Sequence, residues 1–196
     1  MLSCLLLAAG QSQRFGSPKA LVKFKDQLII QRLQQTILDA KIDELIIVLG
    51  AHAQEIEPFL LKHSQVQFVY NKDYNFGQTS SFIKGLEKIN KLSQGIVLLP
   101  VDYPWVASDT ITALREEFYR HSRKIIIPVH NGKKGHPPIF PIRLKDQFLK
   151  LDYSQGINSV FRDAGNEINL FPVDDPGVIQ TFNTRAEFEK ITAEFK

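Results

Sequence analysis

The sequence is poor in residues that support disulfide or membrane chemistry. Its 196 residues include one cysteine, Cys4, which lies in an apolar run and has no second thiol to pair with. A small buried thiol in a reducing compartment is therefore expected. The apolar run over residues 2–9 is far shorter than the about 20 residues that cross a bilayer. No signal peptide or membrane span is indicated, so we expect a cytoplasmic protein with no membrane partner.

The sequence also lacks a concentration of charge. It has 24 Lys and Arg residues against 21 Asp and Glu residues, a formal net charge of +3, and the basic residues never form a run of five. This pattern argues against a nucleic-acid partner, which needs an extended basic surface. Most of the lysines are expected to be solvated surface residues, although a mild positive excess also suits a small anionic ligand.

Several common catalytic motifs are missing. The segment after Gly10 does not match a P-loop, because Phe15 stands where that motif has its second glycine. It does not match the dinucleotide-binding motif GxGxxG either, because Ser12 stands where that motif has its second glycine. The chain has no HExxH, paired CxxC or GxSxG motif. Zinc hydrolysis, serine-nucleophile catalysis and dehydrogenase chemistry therefore have no support from the sequence.

What is present is an alternation of apolar runs with helical periodicity. Strands are predicted over residues 3–8, 44–50, 66–70, 95–100, 124–129 and 168–173, and helices over residues 28–40, 53–63, 80–90, 108–121 and 185–195. The strands lack period-two alternation, as expected where helices cover both faces of a sheet. The pattern predicts an α/β fold, a single Rossmann-like domain with a mainly parallel central sheet flanked by helices.

We expect one domain over residues 1–196, with an α/β core over residues 1–130. After Val129 the sequence becomes rich in Gly, Pro and His, and residues 131–196 are predicted to form a small C-terminal subdomain over the carboxyl edge of the sheet, ending in a closing helix. Ligands of open parallel sheets bind at that edge. Loops that carry polar or charged side chains follow Leu7, Val69 and Leu99, so we expect these three loops to converge on a ligand-binding site.

The loop after the first strand has the composition of a phosphate-binding loop. Small residues let backbone N–H groups approach an anion, and cationic side chains neutralise it. Such residues here are Ala8, Ala9, Gly10, Arg14 and Lys19. A solvated glycine turn with two surface cations is the alternative interpretation.

Asp102 follows the most apolar strand and is expected at the same edge. A carboxylate there could bind Mg²⁺ together with substrate phosphates, or it could simply close a turn before Pro104. One of Thr79, Ser80 and Ser81 is predicted to cap the following helix, and Ser80 could also contact a ligand.

His136 stands in the stiff segment GHPPIF and is a candidate contact for a second ligand, with a structural role as the alternative. The remaining histidines are interpreted as structural or exposed: His52, His63, His121 and His130.

These residues together resemble the MobA-like nucleotidyltransferases, and among them the molybdenum cofactor cytidylyltransferases. The family's opening motif L-A-A-G-x-S-x-R-x-G-x-x-K-x-L is matched at every fixed position by Leu7, Ala8, Ala9, Gly10, Ser12, Arg14, Gly16, Lys19 and Leu21. The segments GQTSSFIKGL, VDYPWV and GHPPIFP are similar to later family motifs, in the same order. The resemblance implies the fold of the nucleotide-diphospho-sugar transferases.

The resemblance also implies roles for individual residues. Leu7, Ala8, Ala9, Gly10, Ser12, Arg14 and Lys19 would bind the nucleotide, with Asn71 and Ser80 near its base and ribose. Arg14, Lys19 and Asp102 would be catalytic, Asp102 and Asn183 would contact Mg²⁺, and Gly135, His136 and Pro137 would contact the acceptor.

By resemblance, the reaction transfers CMP from CTP to the terminal phosphate of molybdopterin and releases pyrophosphate. The Ala8-Ala9 pair favours CTP, because relatives that use GTP tend to carry Ala-Gly-Gly at this place. A molybdenum hydroxylase or its chaperone could receive the product.

Two departures from the family pattern keep alternatives open. Thr181 replaces a family aspartate, and the family's G-D-x-G-A-R segment is not recognisable in residues 152–163. Another phosphorylated acceptor, such as a sugar or polyol phosphate, is therefore one alternative. A non-catalytic nucleotide-binding maturation factor of the same fold is another.

Overall fold

The computed structural model describes residues 1–162 and 167–195, so residues 163–166 and 196 lie outside the description. The strands are β1 Leu2–Ala8, β2 Lys23–Phe24, β3 Gln27–Leu28, β4 Glu44–Leu49, β5 Val66–Tyr70, β6 Gly95–Pro100, β7 Ile125–His130, β8 Lys133–Lys134, β9 Ile139–Pro141 and β10 Ile168–Pro172. The α-helices are α1 Ile29–Asp39, α2 Ala53–Ile56, α3 Gln78–Leu86, α4 Ser108–Arg120, α5 Lys145–Leu149, α6 Ser159–Arg162 and α7 Arg185–Glu194.

The main sheet has the strand order β10-β7-β9-β6-β1-β4-β5, with β8 paired to β7. Strand β1 pairs in parallel with β4 on one side and β6 on the other, while β9 is antiparallel to both β6 and β7. After β1 the chain therefore builds β4 and β5 on one side of that strand and then places β6 on its other side. This reversal opens a crevice at the carboxyl ends of β1 and β6, which is where ligands of such sheets bind.

Each central strand contributes side chains to two separate cores. In β1, Cys4 and Leu6 pack in one core while Leu5 and Leu7 pack in the other. Helices α1, α4 and α7 cover the first face, and α3 and α5 cover the second. Burial on both faces explains why the strand sequences are apolar throughout, and the predicted fold class is confirmed.

The predicted helix over residues 53–63 is shorter in the structure. Helix α2 ends at Ile56 and a 3₁₀ turn follows at Glu57–Phe59. Pro58 explains the difference, because proline lacks the N–H group that an α-helix needs at this point. The three-residue strand β9 was not predicted, since it is short and follows two prolines.

The predicted side-chain cap of α3 is wrong. Gly77 is the N-cap residue and no side chain caps the helix. Gly77 has φ of 91°, a backbone conformation that favours glycine, so the chain turns there one residue before the helix begins.

Helix α7 does have a side-chain cap, formed reciprocally by Thr184 and Glu187.

Within residues 1–162 and 167–195, no helix is both long and apolar enough to cross a bilayer.

Candidate active site

Two cavities open at the carboxyl edge of the sheet. We call the first, of about 610 Å³, the opening-loop cavity, and the second, of about 680 Å³, the His136 cavity. Nine of the residues predicted from the sequence line the opening-loop cavity: Leu7, Ala8, Ala9, Gly10, Ser12, Arg14, Lys19, Asp102 and Asn183. The His136 cavity is lined by Gly135 and His136, and Gln78 lines both cavities.

The loop that follows β1 is held in a tight turn around Ser12. Ser12 has φ of 52°, and its carbonyl oxygen accepts from the N–H groups of Phe15 (2.9 Å) and Gly16 (3.0 Å). The Ser12 hydroxyl oxygen also accepts from Lys19 N at 3.2 Å. Ser12 therefore holds both ends of the turn, and the bond to Lys19 fixes the start of the segment that carries that cation.

The same loop is anchored to the C-terminal part of the chain by Phe15. Its ring is buried, and its centroid lies 5.4 Å from that of Phe182 and 6.3 Å from that of Phe188, both edge-on. Such aromatic contacts add to the burial of apolar surface. The position of the loop therefore depends on residues more than 160 positions later in the chain.

A cluster of polar groups joins the loop to Asp102 and Asn183. Lys19 Nζ lies 3.6 Å from Asp102 Oδ2 and donates to Asn183 Oδ1 at 3.2 Å and to the Phe182 carbonyl oxygen. Arg14 Nη2 donates to the same Asn183 Oδ1 at 3.0 Å. Two cations, one carboxylate and one amide thus meet on the wall of the opening-loop cavity.

Lys19 is partly removed from water in this cluster. Burial lowers the pKa of its ammonium group, while the neighbouring Asp102 carboxylate acts in the opposite direction, and the net shift is downward. Its side chain is 12% exposed. A cation in such a place interacts more strongly with an incoming anion than a cation in water does.

Asn183 is positioned by the N-terminus of α7. Its backbone N–H donates to Glu187 Oε2 at 2.7 Å, and the Thr184 N–H donates to the same oxygen at 3.2 Å. These two bonds lower the pKa of the Glu187 carboxyl. The Asn183 amide oxygen predicted to contact a metal is here bonded to two cations, which compete with a metal for it.

Asp102 offers a single carboxylate to a metal. Its side chain is 27% exposed and belongs to the wall of the opening-loop cavity. In the part of the chain that the structure describes, no group of three or more His, Cys, Asp or Glu residues could hold a metal ion. One carboxylate does fit Mg²⁺, which commonly takes one or two carboxylates and completes its shell with phosphates and water.

Asn71 and Ser80 lie behind the wall of the cavity. The Asn71 amide nitrogen donates to the hydroxyl oxygens of Ser80 and Ser81, both at 3.0 Å. The Ser80 hydroxyl lies 2.8 Å from the Asp73 carbonyl oxygen. Ser81, not Ser80, lines the opening-loop cavity. The predicted pair thus forms a buried scaffold for the segment that presents Ser81.

The His136 cavity is built around a buried imidazole. His136 Nδ1 lies 3.4 Å from the Leu98 carbonyl oxygen, and its ring centroid is 4.4 Å from that of Tyr103. Burial lowers the pKa of His136, so the ring is neutral at pH 7. Pro138 rather than the predicted Pro137 lines the cavity. A Cβ atom on Gly135 would lie 2.3 Å from the Val178 carbonyl oxygen, which explains the glycine.

Some lining residues were missed in the sequence. In the opening-loop cavity they include Gln11, Gln13, His52, Tyr74, Asn75, Gln78 and Ser81, and in the His136 cavity they include Tyr103, Lys134 and Tyr153. Many of them lie just after strands β1, β4, β5 and β6. Their position after the carboxyl ends of parallel strands is the signal that could have identified them.

Comparison with known proteins agrees with this geometry. The sequence model of the MobA-like NTP transferase domain matches residues 4–168. A protein of Bacillus mycoides (strain KBAB4) named probable molybdenum cofactor guanylyltransferase is 27% identical over 130 residues, which are 66% of this chain and 62% of that protein. The chain therefore matches less than two thirds of the length of this relative.

Two further relatives carry different names. The molybdenum cofactor cytidylyltransferase of Escherichia coli (strain K12) is 27% identical over 143 residues, covering 69% of this chain and 68% of that protein. The nicotine blue oxidoreductase of Paenarthrobacter nicotinovorans is 32% identical over 117 residues, covering 56% of this chain and 53% of that protein.

Solved structures share the fold. Rv0371c of Mycobacterium tuberculosis H37Rv superposes with a TM-score of 0.85 at 21% identity, covering 98% of this chain and 97% of that one. A manganese complex of that protein superposes with a TM-score of 0.80 at 20% identity, covering 98% of each chain. With the family model matching most of the sequence, the chain belongs to the MobA-like NTP transferase domain family, a family of nucleotidyltransferases.

Proposed function

We propose that the protein is a Mg²⁺-dependent cytidylyltransferase that transfers CMP from CTP to the terminal phosphate of a molybdopterin-type acceptor. The observation that carries this proposal is the pair of cavities that meet at Gln78 and at the turn formed by Asp102 and Tyr103. Asp102 lines the opening-loop cavity and the next residue, Tyr103, lines the His136 cavity. A transferase needs two adjoining substrate sites, whereas a protein that only binds a nucleotide needs one.

The opening-loop cavity is the proposed nucleotide site. Arg14 and Lys19 supply positive charge for the triphosphate, and an added Cβ on Gly10 would meet nothing within 4 Å, so the loop backbone faces open space. The Asn183 oxygen that now accepts from both cations would give way to phosphate oxygens. A charged phosphate is a stronger acceptor for these groups than a neutral amide.

Asp102 is the proposed ligand of the metal. When bound there, Mg²⁺ would neutralise negative charge on the phosphoryl oxygens. The choice of a divalent metal is supported by the partly exposed Asp102 carboxylate on the wall of the opening-loop cavity and by the manganese complex of a protein with this fold. Lys19, 3.6 Å from the carboxylate, keeps Asp102 oriented toward the cavity.

The proposed chemistry is an in-line displacement. A terminal phosphate oxygen of the acceptor forms a bond to the α-phosphorus, the bond from that phosphorus to the bridging oxygen breaks, and pyrophosphate leaves with the electron pair. The attacking oxygen is already an anion, so no general base is required. The contribution of the protein is to position both substrates and to stabilise the charge that develops on pyrophosphate, through Arg14 and Lys19.

The choice of CTP rests on Ala8 and Ala9. Both residues are buried in the wall of the opening-loop cavity, and relatives that use GTP tend to carry a glycine in place of Ala9. The cytidylyltransferase of E. coli and the guanylyltransferase of B. mycoides are equally identical to this chain, so the relatives do not separate the two nucleotides.

The His136 cavity is the proposed acceptor site. Neutral and aromatic residues dominate its wall, including Tyr103, His136 and Tyr153, and Lys134 supplies a positive charge. We propose a cytoplasmic reaction whose product passes to a molybdenum hydroxylase or its chaperone. The names of the cofactor transferases among the relatives support the acceptor, and the relative named as an oxidoreductase supports a link to such enzymes.

The first test is nucleotide binding by thermal stabilisation. CTP, GTP, ATP and UTP would each be added with and without MgCl₂ to the wild-type protein, to Asp102→Asn and to the control Asp109→Asn, which changes an exposed carboxylate in the first turn of α4. We expect CTP with Mg²⁺ to raise the melting temperature most, and Asp102→Asn to lose the metal-dependent part.

The second test is pyrophosphate release with molybdopterin, a sugar phosphate or a polyol phosphate as acceptor. Release that requires molybdopterin supports the proposal. Pyrophosphate release only with a sugar or polyol phosphate would show that the acceptor is not molybdopterin. Nucleotide binding without pyrophosphate release for any acceptor would favour the non-catalytic alternative.

A further inference from the structure

His52 lies at the wall of the opening-loop cavity with both ring nitrogens engaged. It follows β4 and lines the cavity together with Gln11 and Tyr74. Its Nδ1 is 2.8 Å from Glu55 Oε1, and its Nε2 is 3.1 Å from the Gln11 carbonyl oxygen. A carboxylate oxygen and a backbone carbonyl oxygen are both acceptors. A neutral imidazole has one N–H group, so only the doubly protonated ring satisfies both partners.

Two other histidines provide a contrast. His130 Nδ1 lies 3.0 Å from the Val173 carbonyl oxygen, but its Nε2 faces the amide nitrogen of Asn131, which is a donor. His63 Nδ1 accepts a bond from the Gln65 backbone N–H at 3.2 Å. A neutral tautomer suits both of these rings, so two acceptors on one ring are a specific feature of His52 and not a general one.

The groups around His52 favour its charged form. Burial acts to lower the pKa of His52, but the bonds to Glu55 and to the Gln11 carbonyl outweigh it, and the net shift is upward. Tyr74 and Asn75, from the loop after β5, line the same cavity as His52. The other charged residues on the cavity wall are Arg14, Lys19 and Asp102.

Gln11 connects His52 to the rim of the cavity. Its backbone carbonyl accepts from His52, its side-chain nitrogen donates to Asn75 Oδ1, and its side-chain oxygen accepts from Gln13. The loop after β1 and the loop after β5 are therefore joined at this residue. A change in the His52 bond would move the residue that links both loops.

We infer that His52 is an imidazolium at neutral pH and a positioning residue for the nucleotide, which fixes the opening loop through Gln11 and adds a third positive charge to the cavity. This inference rests on the nucleotide site proposed above. Nucleotide affinity should then fall as the pH rises through the pKa of His52, because deprotonation removes both the charge and one of the two hydrogen bonds.

The charge state is tested directly by nuclear magnetic resonance on protein with ¹⁵N-labelled histidine. Long-range ¹H–¹⁵N spectra distinguish imidazolium from either neutral tautomer, and His52→Gln assigns the signal. We expect His52 to carry protons on both nitrogens at pH 7. A neutral His52 at pH 7 would overturn the inference, whether or not the protein binds or converts nucleotides.

The effect on the nucleotide is tested by calorimetric titration of CTP and GTP with MgCl₂ between pH 6 and pH 9. Wild type should bind about fivefold more tightly than His52→Gln at pH 6, the size of one partly exposed charge interaction, with no difference at pH 9. His63→Gln is the matched control, since His63 does not line the cavity, and it should follow wild type throughout.

A difference that is independent of pH would assign His52 a structural role only and overturn the inference. Absence of nucleotide binding at every pH would overturn both proposals. Normal, pH-dependent binding without pyrophosphate release for any acceptor would overturn the proposed function and leave the inference on His52 standing.

Discussion

The two cavities are built in different ways. The opening-loop cavity takes Arg14 and Lys19 from one short segment of chain, whereas the His136 cavity is assembled from residues between Phe76 and Ile168. The first presents concentrated charge and the second mainly neutral and aromatic groups. Both cavities draw on distant segments of the chain, but the two cations of the first come from one contiguous motif, which is why the sequence alone could identify them.

The largest expected effect is a loss of reaction rate on removal of a cation from the opening-loop cavity. Lys19→Met should reduce pyrophosphate release by about 10²–10³-fold, the usual loss when one electrostatic stabiliser is removed. Lys23→Met, which removes an exposed lysine of β2 outside both cavities, should leave the rate unchanged. Equal rates in both variants would show that the charge of the opening loop does not serve catalysis.

The pH dependence of Lys19 sharpens this test. Burial lowers its pKa, and only the protonated form carries the charge. The rate of the wild-type protein should therefore decline on the alkaline side at a lower pH than an ordinary lysine, with a pKa of about 10.4, would give. A pH–rate profile for wild type and Lys19→Arg would check it, since the arginine variant should keep its activity to higher pH.

A smaller effect should distinguish two roles for Asn183. Asn183→Asp places a carboxylate where the amide oxygen accepts from Arg14 and Lys19, so the cations should be held more firmly and nucleotide affinity should fall about tenfold. Asn131→Asp adds the same charge in a turn outside both cavities and is the control. If instead the variant binds Mg²⁺ more tightly and nucleotide affinity is kept, Asn183 is a metal ligand, as the family resemblance implies.

The His136 cavity, proposed above to bind the acceptor, should respond more weakly to loss of a charge. Strand β8 contains Lys133 and Lys134, of which Lys134 lines the His136 cavity. Lys134→Gln should raise the KM for the acceptor about fivefold without changing nucleotide binding, and Lys133→Gln should change neither. Equal effects of the two substitutions in steady-state kinetics would mean that only the overall charge of the hairpin matters.

The smallest effect concerns stability. The folded pKa of His136 is below its unfolded value, so the unfolded chain binds more protons and the free energy of unfolding falls as the pH drops below about 6.5. His136→Gln should lose this part of the pH dependence, a difference of about 2–4 °C in melting temperature at pH 5. Thermal unfolding of wild type and His136→Gln between pH 5 and pH 8 would measure the difference.

The sequence predicted the sheet core and the opening loop because both depend on local patterns. Apolar strands such as β1 are uniform in burial, and the loop motif is contiguous. It did not predict that Asn71 and Ser80 would be buried as a scaffold, since that depends on how the segment after β5 folds back on α3. The sequence alone favours a structural or exposed His52, because Glu55 lies three residues away on the same segment but the contact with the Gln11 carbonyl joins segments that no spacing rule brings together.

The sequence equally gave no sign that Asn183 would accept from both cations of the opening loop. The amide reaches them only because Phe15 packs on Phe182 and Phe188 and because Glu187 fixes the N-terminus of α7. These contacts join segments that are far apart in the chain, so periodicity and motif spacing carry no information about them.

The anchoring of the opening loop by Phe182 also sets an order of events during synthesis on the ribosome. The loop that carries Arg14 and Lys19 emerges among the first residues, but its aromatic anchor and its partner Asn183 are made about 170 residues later. At about 5–20 residues per second, the loop therefore waits on the order of ten seconds before its support exists. Until residues 182–188 have been made, the opening loop lacks both its aromatic contacts and the amide oxygen that accepts from its two cations.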